Sequence, residues 1–538
     1  MAPQRRRVWP IVAVACAAIL LVYWRSLSFG LYDDDYVLLR PWSTRHLLAV
    51  LTGPWLSVHQ ADYYRPLAIY IYKALFHVFG LNAPLLHIVP IVVMATIAAL
   101  VGVFVRRETA SLTAGIAAAV LYAVHPATVI AIGPWVANQY QGIVAIATIT
   151  ALLMWQSRRA DTERPWWPLL VPVVIGALAK ETGLMVPLIL VGAHLGVSWW
   201  CRLPLRSRWS VAAAGVAVFG ALNLWRALVL HGVGPYQGLT WQEAAVNFIS
   251  GPAVMLFDPI PGSYEPLEYV LFAGSLALLA SAWWVVLTDR TSAAARLVII
   301  GAVLLVCASL PTSVVFSRDR LSPHGLGAVL IWSGGVTALL ARLTAWRRVV
   351  AAVAAAGVLL ASATIATRML TRFDQCGSGA RLFPNDLFEA PARVPPPEMV
   401  RWLTTLTRPC DPGLITPIYA VVPSLTWGVI EARVGSTARI HRWVGDRVVA
   451  LLAPDAESVN VSLRHVTASP ARPVVVRIEG PRHTRLLRLT TPEWHSIRVP
   501  LAPTWWLRLR AMHRIELYAD AGRGSAIEMR PLGWETVE

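Results

Sequence analysis

Charged side chains are scarce in this chain of 538 residues, because Asp, Glu, Lys and Arg together make up 14% of it while 56% is hydrophobic. Water-soluble folds carry roughly a quarter charged residues, so the composition excludes a soluble multidomain enzyme and equally a disordered or fibrous protein. The mean hydropathy of +0.55 agrees with this. The sequence therefore predicts a membrane protein.

Lysine is almost absent, since all of the 47 basic residues are arginine except Lys73 and Lys180. The net charge of +17 would suit a nucleic-acid-binding protein. The arginines, however, cluster between apolar runs, where they signal topology and contact anionic membrane lipid. We therefore predict membrane lipid as a partner and no nucleic acid.

Cysteine is also rare, and the five present form no CxxC or Cys/His spacing that would suggest zinc. A phosphate-cradling glycine loop and internal repeats are missing from the sequence as well. Cys16, Cys201 and Cys307 fall in or beside apolar runs. Cys376 and Cys410 fall in the C-terminal tail, where an oxidising compartment would permit a disulfide between them.

Apolar windows of roughly 16 to 22 residues recur along most of the chain, close to the length that crosses a hydrocarbon core of about 30 Å. No small-x-small cleavage site follows the first window, so we expect a helix there and not a signal peptide. The windows predict a polytopic α-helical membrane protein with about eleven transmembrane helices, at 8–28, 85–105, 110–125, 138–156, 166–179, 182–200, 209–230, 266–287, 296–311, 324–341 and 348–367.

The arginines test this topology, because short cytoplasmic loops collect basic residues. With the N-terminus in the cytoplasm, every second loop is basic, and the odd number of spans puts the chain after about residue 370 outside. We therefore predict a multi-pass plasma (inner) membrane protein with an extracytoplasmic C-terminal domain. The basic clusters are Arg5 to Arg7, Arg106 with Arg107, Arg158 with Arg159 and Arg164, Arg202 with Arg206 and Arg208, Arg290 with Arg296, and Arg342 with Arg347 and Arg348.

After about residue 370 the sequence contains short runs with strand character in place of the long apolar windows. We predict a transmembrane domain at 1–370, a linker and irregular segment at 371–427 and an extracytoplasmic, mainly-β, sandwich-like domain at 428–538. Arginines that alternate with apolar residues there indicate a solvated sheet face or one that binds carbohydrate or lipid head groups. The predicted strands are 438–444, 447–452, 458–466, 473–478, 485–489, 495–499, 506–509 and 514–518.

Asp33, Asp34 and Asp35 follow the first predicted helix directly. Three adjacent carboxylates repel one another, so they require solvent, a proton or a compensating cation. The cluster is either a solvated loop or a general base, with or without a divalent metal, that acts on a substrate delivered in the membrane.

Other polar groups near helix ends fall on the same predicted side of the membrane. Each has a plain alternative: His87 and His125 as packing residues, Arg65 as a side chain that reaches the interface, and Lys180 with Glu181 as a structural ion pair. Their convergence on one side favours a site. The groups are Tyr63 to Leu67, His87, His125-Pro126, Asn138-Gln139, Lys180-Glu181 and Arg318 to Pro323.

The order of these motifs, from Asp33-Asp34 through Tyr64-Arg65-Pro66-Leu67 and Lys180-Glu181 to Arg318, resembles a known family. It is similar to the membrane part of the tetratricopeptide-repeat-containing protein O-mannosyltransferases and their bacterial relatives, within the GT-C class of glycosyltransferases. The resemblance covers roughly residues 8 to 345 and does not extend to the repeats.

The resemblance implies an enzyme that moves a sugar from a polyprenyl-phosphate donor to a protein or glycan acceptor outside the cytoplasm. A phosphate leaves readily, so the reaction chiefly needs a base for the acceptor hydroxyl and cations for the phosphate. The acidic run Asp33, Asp34 and Asp35 would supply the base. By position, Arg65, Lys180 and Arg318 would hold the donor phosphate, supported by Tyr64, His87, His125 and Glu181.

The sequence departs from the family where a second acidic group is expected, because Ile130 occupies that position and Asn138 to Gln141 follow it. A divalent cation, Mg²⁺ or Mn²⁺, is therefore left open. The missing acid also favours an alternative function, that of a non-catalytic relative that binds lipid-linked glycan or scaffolds envelope assembly. A transporter is disfavoured, because the charges gather at the outer boundary and not at the bilayer midplane.

Overall fold

The chain divides into two compact units, one made of 1–27, 49–68 and 87–373 and the other of 28–48, 69–86 and 374–538. The computed structural model describes residues 8–29, 35, 38–39, 44–53, 55–56, 62–125, 128, 136–160, 165–201, 208–230, 240–257, 266–314, 322–342, 356–357, 359–364, 366–367, 370, 429–434, 438–443, 447–452, 456–471, 473–480, 484–501, 513–519, 527–529 and 533–536.

Helices account for nearly all of the described residues before 343. They are α1 Trp9–Tyr23, α2 Thr44–Thr52, α3 Pro66–Phe79, α4 Ala83–Leu86, α5 Ile88–Thr109, α6 Leu112–Val124, α7 Gln139–Ala160, α8 Leu170–Ala179, α9 Val186–Trp200, α10 Arg208–Leu230, α11 Trp241–Phe257, α12 Pro266–Thr288, α13 Ala293–Val314 and α14 Ser322–Arg342.

Seven of the described helical stretches are long and apolar enough to cross a bilayer. The protein is therefore a polytopic helical membrane protein, as the sequence predicts. The seven are Trp9–Leu27, Ala83–Thr109, Glu181–Trp200, Trp209–Leu230, Leu271–Thr288, Ala293–Val314 and Pro323–Ala341, and shorter apolar helices occupy Pro66–Phe79, Leu112–Val124 and Trp167–Ala179.

Each of the first ten predicted helices coincides with a helix of the structure, and the described residues of 348–367 are helical as well. Four of the eleven predicted spans are not among these seven: α6 and α8 are short, α7 is long but is not among the apolar candidates, and 348–367 lies partly outside the described residues. Helices α2, α3 and α11 were not predicted. In α3 the apolar run is interrupted by Lys73, and in α11 by Pro252, which lies inside the helix.

Small residues let the helices of the first unit approach closely. A Cβ on Gly102 of α5 would lie 2.6 Å from the carbonyl oxygen of Gly115 in α6. The same holds between α13 and α14, where a Cβ on Gly301 would lie 2.6 Å from the carbonyl oxygen of Gly327. In a bilayer, where water does not drive helices together, such contacts carry much of the packing.

A buried ion cluster ties together one end of α5, α7 and α13. The Glu108 carboxylate accepts hydrogen bonds from Arg159 Nη2 at 2.9 Å and from Gln156 Nε2 at 2.7 Å, and it also pairs with Arg296. We call this end, where Arg107, Arg159 and Arg296 lie, the basic end. Helix α7 reaches it at its C-terminus and begins at Gln139 on the opposite end.

The described strands after residue 428 belong to the second unit and form two antiparallel sheets around one core. One sheet has the order β5-β10-β7-β8, and the other has the order β12-β6-β11-β4-β3 with β9 paired to β6. The strands are β3 Val429–Val434, β4 Ala438–Trp443, β5 Arg447–Leu452, β6 Ala456–His465, β7 Val474–Glu479, β8 Thr484–Leu489, β9 His495–Pro500, β10 His513–Ala519, β11 Ile527–Met529 and β12 Gly533–Thr536, preceded by the hairpin β1 Trp55–Leu56 and β2 Asp62–Tyr63.

The core between the two sheets contains alternate residues of both, such as Val461 of β6, Val476 of β7 and Leu517 of β10. This is a sandwich, and it agrees with the predicted mainly-β domain. Strands β3, β11 and β12 were not predicted. The predicted strand at 506–509 lies outside the described residues.

Candidate functional site

Arg65 and Glu181 form a buried, two-pronged ion pair. Arg65 Nε donates to both carboxylate oxygens at 3.1 Å, and Nη2 donates to Oε2 at 2.9 Å. Only 5% of Arg65 and 7% of Glu181 is exposed, which excludes the interpretation of Arg65 as a side chain that reaches out to the interface. Pro66 opens α3 directly after Arg65, a position that suits proline because the first helical N–H has no partner within the helix.

A break between two helices places Lys180 and Glu181. Helix α8 ends at Ala179, Lys180 is fully extended at φ −163° and ψ 160°, and a 3₁₀ turn from Glu181 to Met185 leads into α9. Gly183 makes the break possible, because a Cβ there would lie 1.9 Å from the carbonyl oxygen of Gly176. The two charges are neighbours in the sequence, but the hydrogen bonds to the Glu181 carboxylate come from Arg65, far away in the chain.

Arg226 of α10 is a second arginine beside Glu181, with Nη2 at 3.8 Å from Oε1. The sequence analysis missed it. The signal was present, because Arg226 is the one charged residue inside the otherwise uncharged stretch 209–230. Placing a lone arginine in an apolar membrane span costs free energy, so such an arginine is a candidate functional residue.

Two tyrosine rings complete the arrangement. Lys180 Nζ lies 4.7 Å from the centre of the Tyr140 ring, and the Arg65 guanidinium lies 5.0 Å from the same ring. Arg65 is also 4.2 Å from the centre of the Tyr63 ring. The electron-rich faces of aromatic rings attract cations, so both tyrosines help to hold the cationic groups in place.

Three cationic side chains thus converge on one carboxylate, and Glu181 interacts electrostatically with all three. We call Arg65, Lys180, Glu181 and Arg226 the cation cluster. Buried arginine forks and a lysine ammonium are the groups that proteins use to bind phosphate. Because Tyr140 lies in the first turn of α7 and Arg159 in its last turn, the cluster and the basic end lie at opposite ends of that helix.

Tyr64 attaches the segment that carries Arg65 to the helix that carries Arg226. Its hydroxyl accepts a hydrogen bond from Trp225 Nε1 at 3.0 Å and donates one to the carbonyl oxygen of Leu51 at 3.0 Å. Trp225 and Arg226 are neighbours, so this chain of bonds holds α10 against the segment just before α3. The predicted supporting residue Tyr64 therefore lies beside the cluster.

The two predicted supporting histidines are buried at helix ends. His87 takes the N-cap position of α5 without making a side-chain capping bond. His125 Nε2 donates to the carbonyl oxygen of Met255 at 3.0 Å, and its ring stacks on Trp332 with ring centres 4.9 Å apart. These contacts agree with His125 as a packing residue, one of the alternatives that the sequence left open.

Several predicted site residues lie outside the described part of the chain. These are Asp33, Asp34, Arg318, Cys376 and Cys410. Asp35 is described: it is 1% exposed and belongs to the second unit, and its carbonyl oxygen accepts a bond from the Leu39 N–H at 2.9 Å. The base and the disulfide remain predictions. The thiols of Cys16, Cys201 and Cys307 are free.

The described residues contain no group of three His, Cys, Asp or Glu side chains that could hold a metal ion. Both oxygens of Glu181, the carboxylate of the cation cluster, accept bonds from Arg65. A site for Mg²⁺ or Mn²⁺ therefore stays a prediction.

No protein-family model and no curated protein matches the sequence. Among solved structures, the chain is similar to the Archaeoglobus fulgidus oligosaccharyltransferase in complex with Zn and sulfate, with 13% identity, a TM-score of 0.42 and coverage of 66% of this chain and 53% of that one. It therefore spans about half the length of that protein.

The chain is also similar to ArnT from Cupriavidus metallidurans bound to undecaprenyl phosphate, with 14% identity, a TM-score of 0.40 and coverage of 72% of this chain and 82% of that one. The apo state of the same protein gives 14% identity, a TM-score of 0.42 and coverage of 71% and 81%. At this level, the similarities assign neither a family nor a chemistry to the chain.

Proposed function

We propose that the chain is a membrane glycosyltransferase that moves a sugar from a polyprenyl-phosphate donor to a hydroxyl group of an extracytoplasmic protein or glycan. The observation that carries the proposal is the cation cluster, in which Arg65, Lys180 and Arg226 meet at one end of the helices. Buried cations at the end of a helical bundle suit the anionic head of a lipid whose tail lies in the bilayer.

The chemistry of the leaving group explains why such a cluster would accelerate transfer. The donor phosphate is a diester with one negative charge, whereas the prenyl phosphate that departs carries close to two at neutral pH. Cations bind the doubly charged prenyl phosphate more tightly than the singly charged donor. They therefore stabilise the negative charge that develops on the phosphate as the bond breaks. Arg65 and Arg226 would supply planar forks, and Lys180 a point charge.

The acceptor hydroxyl needs a base, which we assign to Asp33 or Asp34 in the loop after α1. The base takes the acceptor proton, the acceptor oxygen bonds to the anomeric carbon, and the bond from that carbon to the phosphate oxygen breaks. Glu181 does not suit this role, because both of its oxygens accept hydrogen bonds from Arg65. Arg318 would be a further phosphate ligand.

A transfer assay with the purified, reconstituted protein and labelled polyprenyl-phosphate sugars tests the proposal. We expect Arg226→Ala and Lys180→Met each to lower the rate about 10²- to 10³-fold, the usual effect of removing one preorganised charge-stabilising group. Arg488→Ala, at an exposed position on β8, is the matched control and should transfer like the wild type. Absence of transfer from every polyprenyl-phosphate sugar would exclude the proposal.

Two observations favour a second candidate, a protein that binds lipid-linked glycan without transferring it. Glu181 is held by Arg65, and Ile130 replaces the acid expected in the second loop. Under this alternative the purified protein retains a polyprenyl-phosphate sugar, loses it on Arg226→Ala, and releases no transferred product.

A further inference from the structure

A second site lies away from the cation cluster, in a cavity of about 300 Å³ between α7, α8, α9 and α10. This is about ten times the volume of a water molecule. The walls are almost entirely hydrocarbon and aromatic, formed among others by Trp155, Trp166, Leu170, Val173, Leu190 and Ala214. A cavity of this character does not hold water, whereas a hydrocarbon chain fits it.

The cavity is open to the outside, because residues of its wall on α8 and α10 are exposed. Leu170 at its edge is 45% exposed, and Ala214 on the facing helix is exposed as well. Trp167, next to the opening, is 67% exposed. Because these helices are apolar enough to lie in a bilayer, the opening faces the acyl chains of surrounding lipid.

Arginines lie against one end of the cavity. The Arg159 guanidinium is 4.9 Å from the centre of the Trp155 ring, which forms part of the wall. Arg158 donates from Nε to the carbonyl oxygen of Pro165 at 2.6 Å, one residue before the wall residue Trp166. This end of the cavity is therefore at the basic end.

In the sequence, Arg202, Arg206 and Arg208 lie within the eight residues before the wall residue Ser210, and no acid lies among them. Anionic lipid head groups gather where arginines lie beside the end of a membrane-spanning helix.

We propose that the cavity binds an acyl chain of an anionic phospholipid whose head group lies at the arginines of the basic end. The cation cluster is a separate site, because Arg226 is eight residues beyond the last wall residue of α10, Val218, or about 12 Å along the helix axis. The proposal stands apart from glycosyl transfer, and a protein that transfers no sugar could still bind this lipid.

Mass spectrometry of the intact, detergent-purified full-length protein would measure the retained lipid. The probes are phosphatidylglycerol and phosphatidylcholine with identical oleoyl chains, added in equal amounts. We expect about a fivefold preference for phosphatidylglycerol, the effect of one arginine beside an anionic head group, because the charge of Arg159 is already paired with Glu108. Arg158→Met should reduce this preference about fivefold.

Ala214→Phe tests the cavity itself, because the added ring would occupy it. We expect retention of phosphatidylglycerol to fall at least about tenfold, the loss that follows when about two buried methylene groups are excluded. Ala213→Phe is the matched control, since Ala213 is exposed on the same helix and does not line the cavity. Leu170→Trp, at the opening, is a second blocking variant should Ala214→Phe fail to fold.

Three results would overturn the proposal: equal retention of the two phospholipids by the wild type, retention by both blocking variants at the wild-type level, or preferential filling of the cavity by an added polyprenyl phosphate that Ala214→Phe removes. The last result would identify the cavity as a site for the prenyl tail. The control at Ala213 separates the results obtained with Ala214→Phe from a general loss of fold.

Discussion

Arg65 and Glu181 are 116 residues apart in the chain, yet three hydrogen bonds join the guanidinium of one to the carboxylate of the other in a buried position. A buried charge that loses its partner is far more costly than the intact pair is favourable. The pair therefore joins the segment before α3 to the break between α8 and α9. Loss of either side chain would leave the charge of the other buried without its partner.

Glu181→Gln should destabilise the protein strongly, because Arg65 and Arg226 would then face a neutral amide. Removing one partner of a buried pair costs about 3 to 5 kcal/mol. Thermal unfolding of the detergent-purified protein measures this as a clear fall in Tm. Glu243→Gln is the control, since Glu243 is exposed and bonded locally to Thr240, and its Tm should stay near that of the wild type. An unchanged Tm for Glu181→Gln would show that the pair is not a structural support.

Prenyl phosphate, the leaving group of the proposed reaction, should bind more tightly than the intact donor and inhibit transfer. The cation cluster favours the doubly charged phosphate over the singly charged diester. Since the second proton of such a phosphate leaves near pH 6, inhibition should strengthen as the pH rises through about that value. Inhibition constants at pH 5.5 and 7.5 measure the effect. Equal affinity for donor and product at both values would contradict it.

Asp33→Asn and Asp34→Asn test the base. The residue that takes the acceptor proton should show a loss of transfer of about 10²- to 10⁴-fold on this change, because an amide cannot accept the proton. Both variants should still insert into the membrane, which cell fractionation would measure. Asp35→Asn is measured beside them, and wild-type turnover in all three would remove the base from this loop.

Two glycine substitutions should have opposite effects on stability. Gly102→Ala would place a Cβ 2.6 Å from the carbonyl oxygen of Gly115, so α5 and α6 would have to separate and Tm should fall. Gly220→Ala in α10 meets nothing within 4 Å and removes a flexible residue from a helix interior. We expect it to be neutral or to stabilise by about 0.5 to 1 kcal/mol. A similar loss of Tm in both would show that the crossing at Gly102 is not closely packed.

Much of the fold could be predicted from the sequence, because the length of an apolar run directly reflects the thickness of a bilayer. The elements that were missed are those in which another residue interrupts the pattern, such as Lys73 in α3 and Pro252 in α11. Short strands were missed for a related reason, since the three residues of β11 are too few to show an alternation.

The candidate site could be predicted in part. The cost of placing charges in apolar surroundings singles out Lys180 and Glu181, and the same argument applied to 209–230 would have found Arg226. The partner of Glu181 could not be found in this way, because no local pattern links it to Arg65. Tyr140 carries no sequence signal of its own, and its role beside Lys180 and Arg65 follows only from the three-dimensional arrangement.

The ion pairs of Glu108 can form only at different times during synthesis of the chain. Arg159 follows Glu108 by 51 residues, whereas Arg296 follows it by 188. During synthesis, Glu108 and Arg159 can therefore meet early, while α13 and its arginine are still to be translated. The buried carboxylate gains its last partner only after α13 has been inserted, so a chain that stops before Arg296 leaves the early helices with an incomplete ion cluster and open to quality control.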